Sequence, residues 1–137
     1  METGNVRAEA LRRLLRIEEA GAYIGVDDEK SGGGREARQA LEYVAGVTRW
    51  RRYLDFVLAQ FYRGEVDRLE PTLRMILRIG LYELLFLDSA DYAAVNEAVD
   101  LAKKHVRKGA GGLVNGVLRN VLRQKDELAL PDTFEDF

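Results

Sequence analysis

Residues 72–87, "TLRMILRIGLYELLFL", constrain the fold more than any other part of the chain. The stretch is apolar around most of its circumference, and its only charges are Arg74, Arg78 and Glu83. A helix with so narrow a polar strip belongs at the centre of a bundle, where neighbouring helices cover it. Pro71 stands immediately before it, at the first turn of a helix, where the missing N–H of proline does no harm.

The flanking segments supply the covering helices. They are rich in Ala, Leu, Arg and Glu, and no run alternates with period two, so strands are not expected. A first helix is expected from Asn5, as its N-cap, to Ala20, ended by Gly21, with "GAYIGVDDEKSGGG" following as a loop. A second pattern runs from Arg35 to Tyr62. It turns Leu41, Val44, Val47, Leu54, Val57, Leu58 and Phe61 inward, with a bend expected between Gly46 and Trp50. Beyond the central helix, Asp91 is expected to cap a helix whose inward face is Val95, Ala98, Val99, Ala102 and Val106. "GAGG" breaks the chain. Leu113, Val114, Val117, Leu118, Val121 and Leu122 then mark the cleanest amphipathic helix of the sequence. The expected fold is all-α, a compact bundle of five to seven helices formed by residues 1–125. Residues 126–137 read as an acidic tail or the start of a linker.

With 137 residues the chain buries a real core without staples, and the absence of cysteine excludes disulfides and thiolate metal sites. A single histidine, His105, leaves almost nothing for a histidine-based metal site, so no metal and no cofactor are expected. No apolar run approaches the roughly 18 residues of a membrane span, and "METGNVRAEA" is no signal peptide, so a soluble, cytoplasmic protein is expected. The net charge of −2 argues against coating nucleic acid by bulk charge. Its distribution is more informative: residues 101–125 hold seven Lys/Arg and no carboxylate, whereas residues 126–137 hold five carboxylates and no Lys/Arg. The sum conceals a locally basic face.

Two basic groups stand out. On the first helix Arg12, Arg13 and Arg16 share one side with Glu9 and are expected to be exposed, while Arg7 falls nearer the apolar side. Such a face is either solvated and paired with Glu9, Glu18 and Glu19, or a surface for an anion. Lys103, Lys104, Arg107 and Lys108 end a helix, where cations also complement the dipole. The glycine-rich turn after them exposes backbone N–H groups that suit a phosphate. Trp50, among Arg49, Arg51 and Arg52, reads as partly buried packing, with stacking on an unpaired base as the alternative. Asn96 and Asn115 fall on the shoulders of two apolar stripes. They read either as half-buried hydrogen-bonding residues that fix helix register or as ordinary solvated ones. Glu97 reads as a complement to the helix dipole or as an ion-pair partner of an arginine.

The segment "GLYELLFLDSADYAAVNEAVDLAKKHVRKGAGGLVNGVLRNVL" resembles the C-terminal half of the NusB fold family, marked by an Asn-Glu-Ala-Val helix and a Val-Asn-Gly/Ala-Val-Leu helix. Upstream, "RIEEAGAYIG", "GVTRWRRYLDFVLAQF" and "LEPTLRMILRIGLYELL" are similar too, so the resemblance spans nearly the whole chain. "GVTRWRRYLD" and "GLVNGVLRNVLR" lean toward the N-terminal domain of the rRNA cytosine-5 methyltransferase RsmB rather than the antitermination factors. The resemblance implies an all-α domain that binds RNA (rRNA or its leader transcript). Ribosomal protein NusE is the implied partner in the antitermination branch, and a C-terminal methyltransferase domain in the other. It favours binding over solvation for Arg12, Arg13 and Arg16, and Lys103, Lys104, Arg107, Lys108 and Arg119 are expected to be RNA-binding residues beside them. It also places Asn96, Glu97 and Asn115 at characteristic family positions, read here as structural. Two departures separate this chain from the antitermination pattern: a less densely basic N-terminus, and Arg119 after "GVL", where those factors often carry an acidic residue.

The function expected is therefore a non-catalytic RNA-binding module, either in rRNA transcription and antitermination or at the front of an rRNA methyltransferase. The competing reading is a protein–protein adaptor without RNA contact. An enzyme in its own right is disfavoured, because the sequence offers no nucleophile constellation and no glycine-rich strand-to-helix turn for a nucleotide.

Overall fold

A computed structural model describes residues 4–20, 34–87 and 90–128, and among them there are helices and no strands. Six α-helices follow one another: α1 Gly4–Ala20, α2 Gly34–Arg49, α3 Arg51–Phe61, α4 Pro71–Phe86, α5 Asp91–His105 and α6 Ala110–Gln124. Short 3-10 turns at Val66–Arg68 and Lys125–Glu127 precede α4 and follow α6. The loop expected after α1 and the tail beyond Leu128 lie outside the described residues, apart from Gly34. Among those described, no helix is long and apolar enough to cross a membrane.

Helix α4 is the hub. It begins with Pro71 in its first turn, buries ten of its sixteen residues and packs against all five other helices. The burial extends to two of its charged side chains, Arg78 at 5% exposure and Glu83 at 1%. That is tolerable because every charge on α4 has an opposite partner on another helix. Arg74 Nη2 lies 2.8 Å from Glu18 of α1, and Arg78 makes a two-pronged contact with Asp55 of α3 at 2.8 and 2.9 Å. Glu83 accepts from two nitrogens, Nε and Nη2, of Arg7 of α1. The narrow polar strip of the sequence thus consists of ionic spokes to the helices around it. Arg74 also ties down the loop before α4, donating to the carbonyl of Leu69 at 3.0 Å and of Asp67 at 3.2 Å.

The bend expected in the second pattern is a break at one residue. Trp50 leaves helical geometry with φ −101° and ψ 17°, yet its N–H still reaches the Gly46 carbonyl at 3.0 Å, so α2 and α3 are nearly continuous. The Trp50 ring stacks on Phe86 of α4 at 5.1 Å between centroids, which anchors the corner. Gly46 serves the same contact surface: a Cβ there would come within 2.1 Å of the Tyr82 ring. Only glycine lets α4 approach α2 so closely.

Two boundary expectations need correction. α1 already includes Gly4 and Asn5, so Asn5 lies inside the first turn rather than capping it. Asp91 is the first residue of α5, with Ala90 in the cap position and no side-chain cap hydrogen bond. Its carboxylate instead accepts from Lys125 Nζ at 3.2 Å, because the 3-10 turn after α6 brings that lysine back over the start of α5. Leu128 then packs against the core.

Candidate nucleic-acid interface

The arginines of α1 have three fates. Arg12 and Arg16 stand at the surface, and Arg12 pairs with Glu9. Arg13, expected on the same exposed side, is 7% exposed, which corrects that expectation. α1 packs against α2, α4 and α5, leaving a free strip narrower than a single helix suggests, and Arg13 folds back one turn to Glu9 at 2.8 Å. Burial alone pushes the Glu9 carboxyl up. The hydrogen bond from Arg13 and the charge of Arg12 outweigh it and hold that carboxyl below the usual range. Arg7 is buried at 8% exposure and is spent on Glu83, with Glu97 4.0 Å away. Glu97 therefore stands as an ion-pair partner of an arginine.

Around Arg7 and Glu83 a cleft of about 240 Å³ opens, lined also by Gln39, Glu42, Tyr43 and Tyr82. The Tyr43 hydroxyl is pushed up to about 12, first by burial and then by the negative charge of Glu83. A phenol so reluctant to ionise donates to Glu83 and joins the Arg7–Glu83 pair.

The run at the end of α5 is different. Lys103, Lys104 and Lys108 are exposed, and among the described residues none has a carboxylate partner. Arg107, 58% exposed, pairs with Glu70 at 2.6 Å. The stem of Lys103 lies over Gly111, where a Cβ would come within 2.9 Å of it, so the small residue lets α5 and α6 close together. The turn itself gives less to an anion than expected. The Ala110 N–H donates to Arg107 at 3.0 Å and the Gly111 N–H to Lys108 at 3.3 Å, so two of the backbone donors expected for a phosphate are taken. The lysine side chains remain available.

The ionic spokes fix where these groups lie. Glu18 near the end of α1 meets Arg74, and Arg107 just past the end of α5 meets Glu70, the residue immediately before α4. The C-terminal ends of α1 and α5 thus both lie toward the N-terminal end of α4. Arg119 does not. Its guanidinium sits 5.7 Å from the ring centre of Tyr92, at the start of α5 and about 20 Å from the lysines along the helix. Trp50 is part of the aromatic packing, with Arg49 over its ring at 5.4 Å.

Asn96 is exposed, and Asn115 is partly exposed. Neither side chain hydrogen-bonds to a described residue. This corrects the expectation that both amides hold helices together by hydrogen bonds: each lies on the shoulder of an apolar stripe, where solvent reaches the amide. Tyr92, 63% exposed, went without a role in the sequence reading. Its significance comes from Arg119, 27 residues later, and no local pattern links the two.

Residues 4–123 match the NusB family. The chain is a member of that family. Transcription antitermination protein NusB of Dictyoglomus thermophilum is 36% identical over 131 residues, covering 93% of this chain and 90% of that protein. The probable ribosomal RNA small subunit methyltransferase B of Synechocystis sp. is 40% identical over 93 residues, which is 67% of this chain. The Bacillus subtilis protein of the same name is 32% identical over 132 residues, 90% of this chain. The chain spans 21% and 29% of these two methyltransferases. Among solved structures, a crystal structure of antitermination factors NusB and NusE in complex with dsRNA matches with a TM-score of 0.77 and 28% identity. It covers 88% of this chain and 95% of its counterpart. The six-helix NusB-family bundle is therefore this chain's fold, and both branches of relatives lie at similar identity.

Proposed function

We propose that this bundle binds RNA through the exposed lysines at the end of α5, with Arg16 and Arg12 of α1 extending the surface. The observation that carries the reading is the set Lys103, Lys104 and Lys108, exposed, gathered within six residues and without carboxylate partners among the described residues. Unpaired surface cations are what a phosphate backbone needs, since binding releases counterions from the nucleic acid. Family membership supports the same reading, as does the relative solved with NusE and dsRNA. The chain acts in rRNA transcription and antitermination, with NusE as protein partner, or as the RNA-binding module of an rRNA methyltransferase. It carries no chemistry of its own in either role. Methyl transfer to rRNA by the pure 137-residue chain would contradict that assignment.

The test is titration with single-stranded RNA at several salt concentrations. A steep loss of affinity with salt supports the reading, each phosphate contact adding roughly 0.7 to the logarithmic slope. Affinity for NusE together with no measurable RNA binding at low salt would favour the adaptor reading instead.

A further inference from the structure

The motif residues Asn96 and Asn115 find no structural task inside the described fold, and the helices bring them together. Helices α5 and α6 run antiparallel: Tyr92 meets Arg119 at one end, and Lys103 with Val99 covers Gly111 at the other. Asn96 lies one turn after Tyr92, and Asn115 lies midway between Gly111 and Arg119. The two amides therefore face each other across one seam. Nothing lies within 4 Å of a Cβ placed on Gly112 or Gly116, so the α6 side of the seam is open. No buried side-chain N or O among the described residues lacks a partner, so the unbonded Asn115 amide reaches solvent, as the exposed Asn96 does.

We propose that this seam reads an unpaired adenine, with Asn96 and Asn115 on the base edge, Tyr92 as the stacking surface and Arg119 over the same aromatic. A carboxamide offers one donor group and one acceptor side by side, which matches the N6 amino group and adjacent ring nitrogen of adenine. Single-stranded RNA exposes those edges and stacks its bases on aromatic or guanidinium planes. An exposed tyrosine with an arginine at its ring provides both. The inference rests on the RNA reading above and separates two tasks: lysines at the end of α5 hold phosphates, and the seam chooses the base.

The experiment measures affinity for 12-nucleotide oligo(A) and oligo(U) at three salt concentrations. It compares the full chain with an Asn96→Ala/Asn115→Ala double variant, a Tyr92→Ala variant and a Lys103→Ala/Lys104→Ala/Lys108→Ala triple variant. The full chain is expected to prefer oligo(A) by on the order of tenfold, the discrimination of one well-placed amide–base pair. The double variant should lose that preference with an unchanged salt slope, whereas the triple variant should lose slope and keep the preference. Tyr92→Ala should weaken both oligonucleotides, as stacking tolerates any base. A preference that survives in the folded double variant, or a full chain that binds both RNAs equally, overturns the seam while leaving the RNA reading intact. A full chain that binds neither RNA overturns both.

Discussion

Helix α1 and the end of α5 carry similar numbers of basic residues and put them to opposite uses. On α1, Arg7 is consumed by Glu83 of the central helix, and Glu9 takes both Arg12 and Arg13. At the end of α5 only Arg107 meets a carboxylate, Glu70, and three lysines face solvent. Position explains the difference. α1 lies along α4, which takes Arg7, and carries its own Glu9 within a turn of Arg12 and Arg13, whereas the α5 run stands at a helix end where the chain reverses. A cluster of cations in sequence makes the stronger ligand surface where the fold brings fewer carboxylates to it.

The largest effect expected from this contrast is on stability. Glu83→Ala leaves Arg7 buried without its partner and should cost about 3–5 kcal/mol, read from denaturant unfolding. Its surface counterpart, Glu70→Ala, removes the partner of a 58%-exposed arginine and should change stability by about 0.5 kcal/mol or less. Equal costs for the two variants would erase the distinction between structural and available arginines.

A second, smaller effect appears at high pH. The unfolded chain releases the Tyr43 proton near 10 and the folded chain holds it to about 12, so this group's contribution is complete below 10 and is lost as pH rises to 12. The loss is about 1 kcal/mol once solvent screening of the half-buried ring is allowed for. Unfolding followed across pH 9–12 should show a shallower decline for Tyr43→Phe than for the unaltered chain. Identical declines would detach Tyr43 from the Glu83 network.

The smallest effect belongs to the seam. Asn115→Ala and Asn96→Ala should each leave stability within about 0.5 kcal/mol, as neither amide bonds within the described fold. A loss of 2 kcal/mol would restore a register-fixing role to these residues.

Much of the fold was legible in the sequence, and the reason is periodicity. The apolar girth of residues 72–87 requires a central helix, Pro71 marks its start, and the stripes from Val95 and Leu113 predict α5 and α6. Even the corner at Trp50 falls where a bend is expected. The site was less legible because a helical angle says where a side chain points on its own helix and nothing about what covers it. Arg13 and Arg12 are neighbours in sequence, yet Arg13 is buried against packed helices and Arg12 is exposed. Asn96 lies on the α5–α6 seam between the Tyr92–Arg119 and Val99–Gly111 contacts, yet it is exposed. Tyr92 gains meaning only from Arg119, and Glu83 only from Arg7, across 76 residues of chain. Such pairings are tertiary facts with no local signature.

The central claim is that RNA phosphates are met by the lysines ending α5 and not by the buried arginines of α1, Arg7 and Arg13. The most direct test is the salt dependence of single-stranded RNA affinity, compared between Lys103→Ala/Lys104→Ala/Lys108→Ala and Arg13→Gln at a temperature where both are folded. The triple variant should bind more weakly, with a logarithmic slope lower by about 2, three contacts at roughly 0.7 each. Arg13→Gln should keep the slope of the unaltered chain. An unchanged slope in the triple variant together with a reduced one in Arg13→Gln would contradict the account.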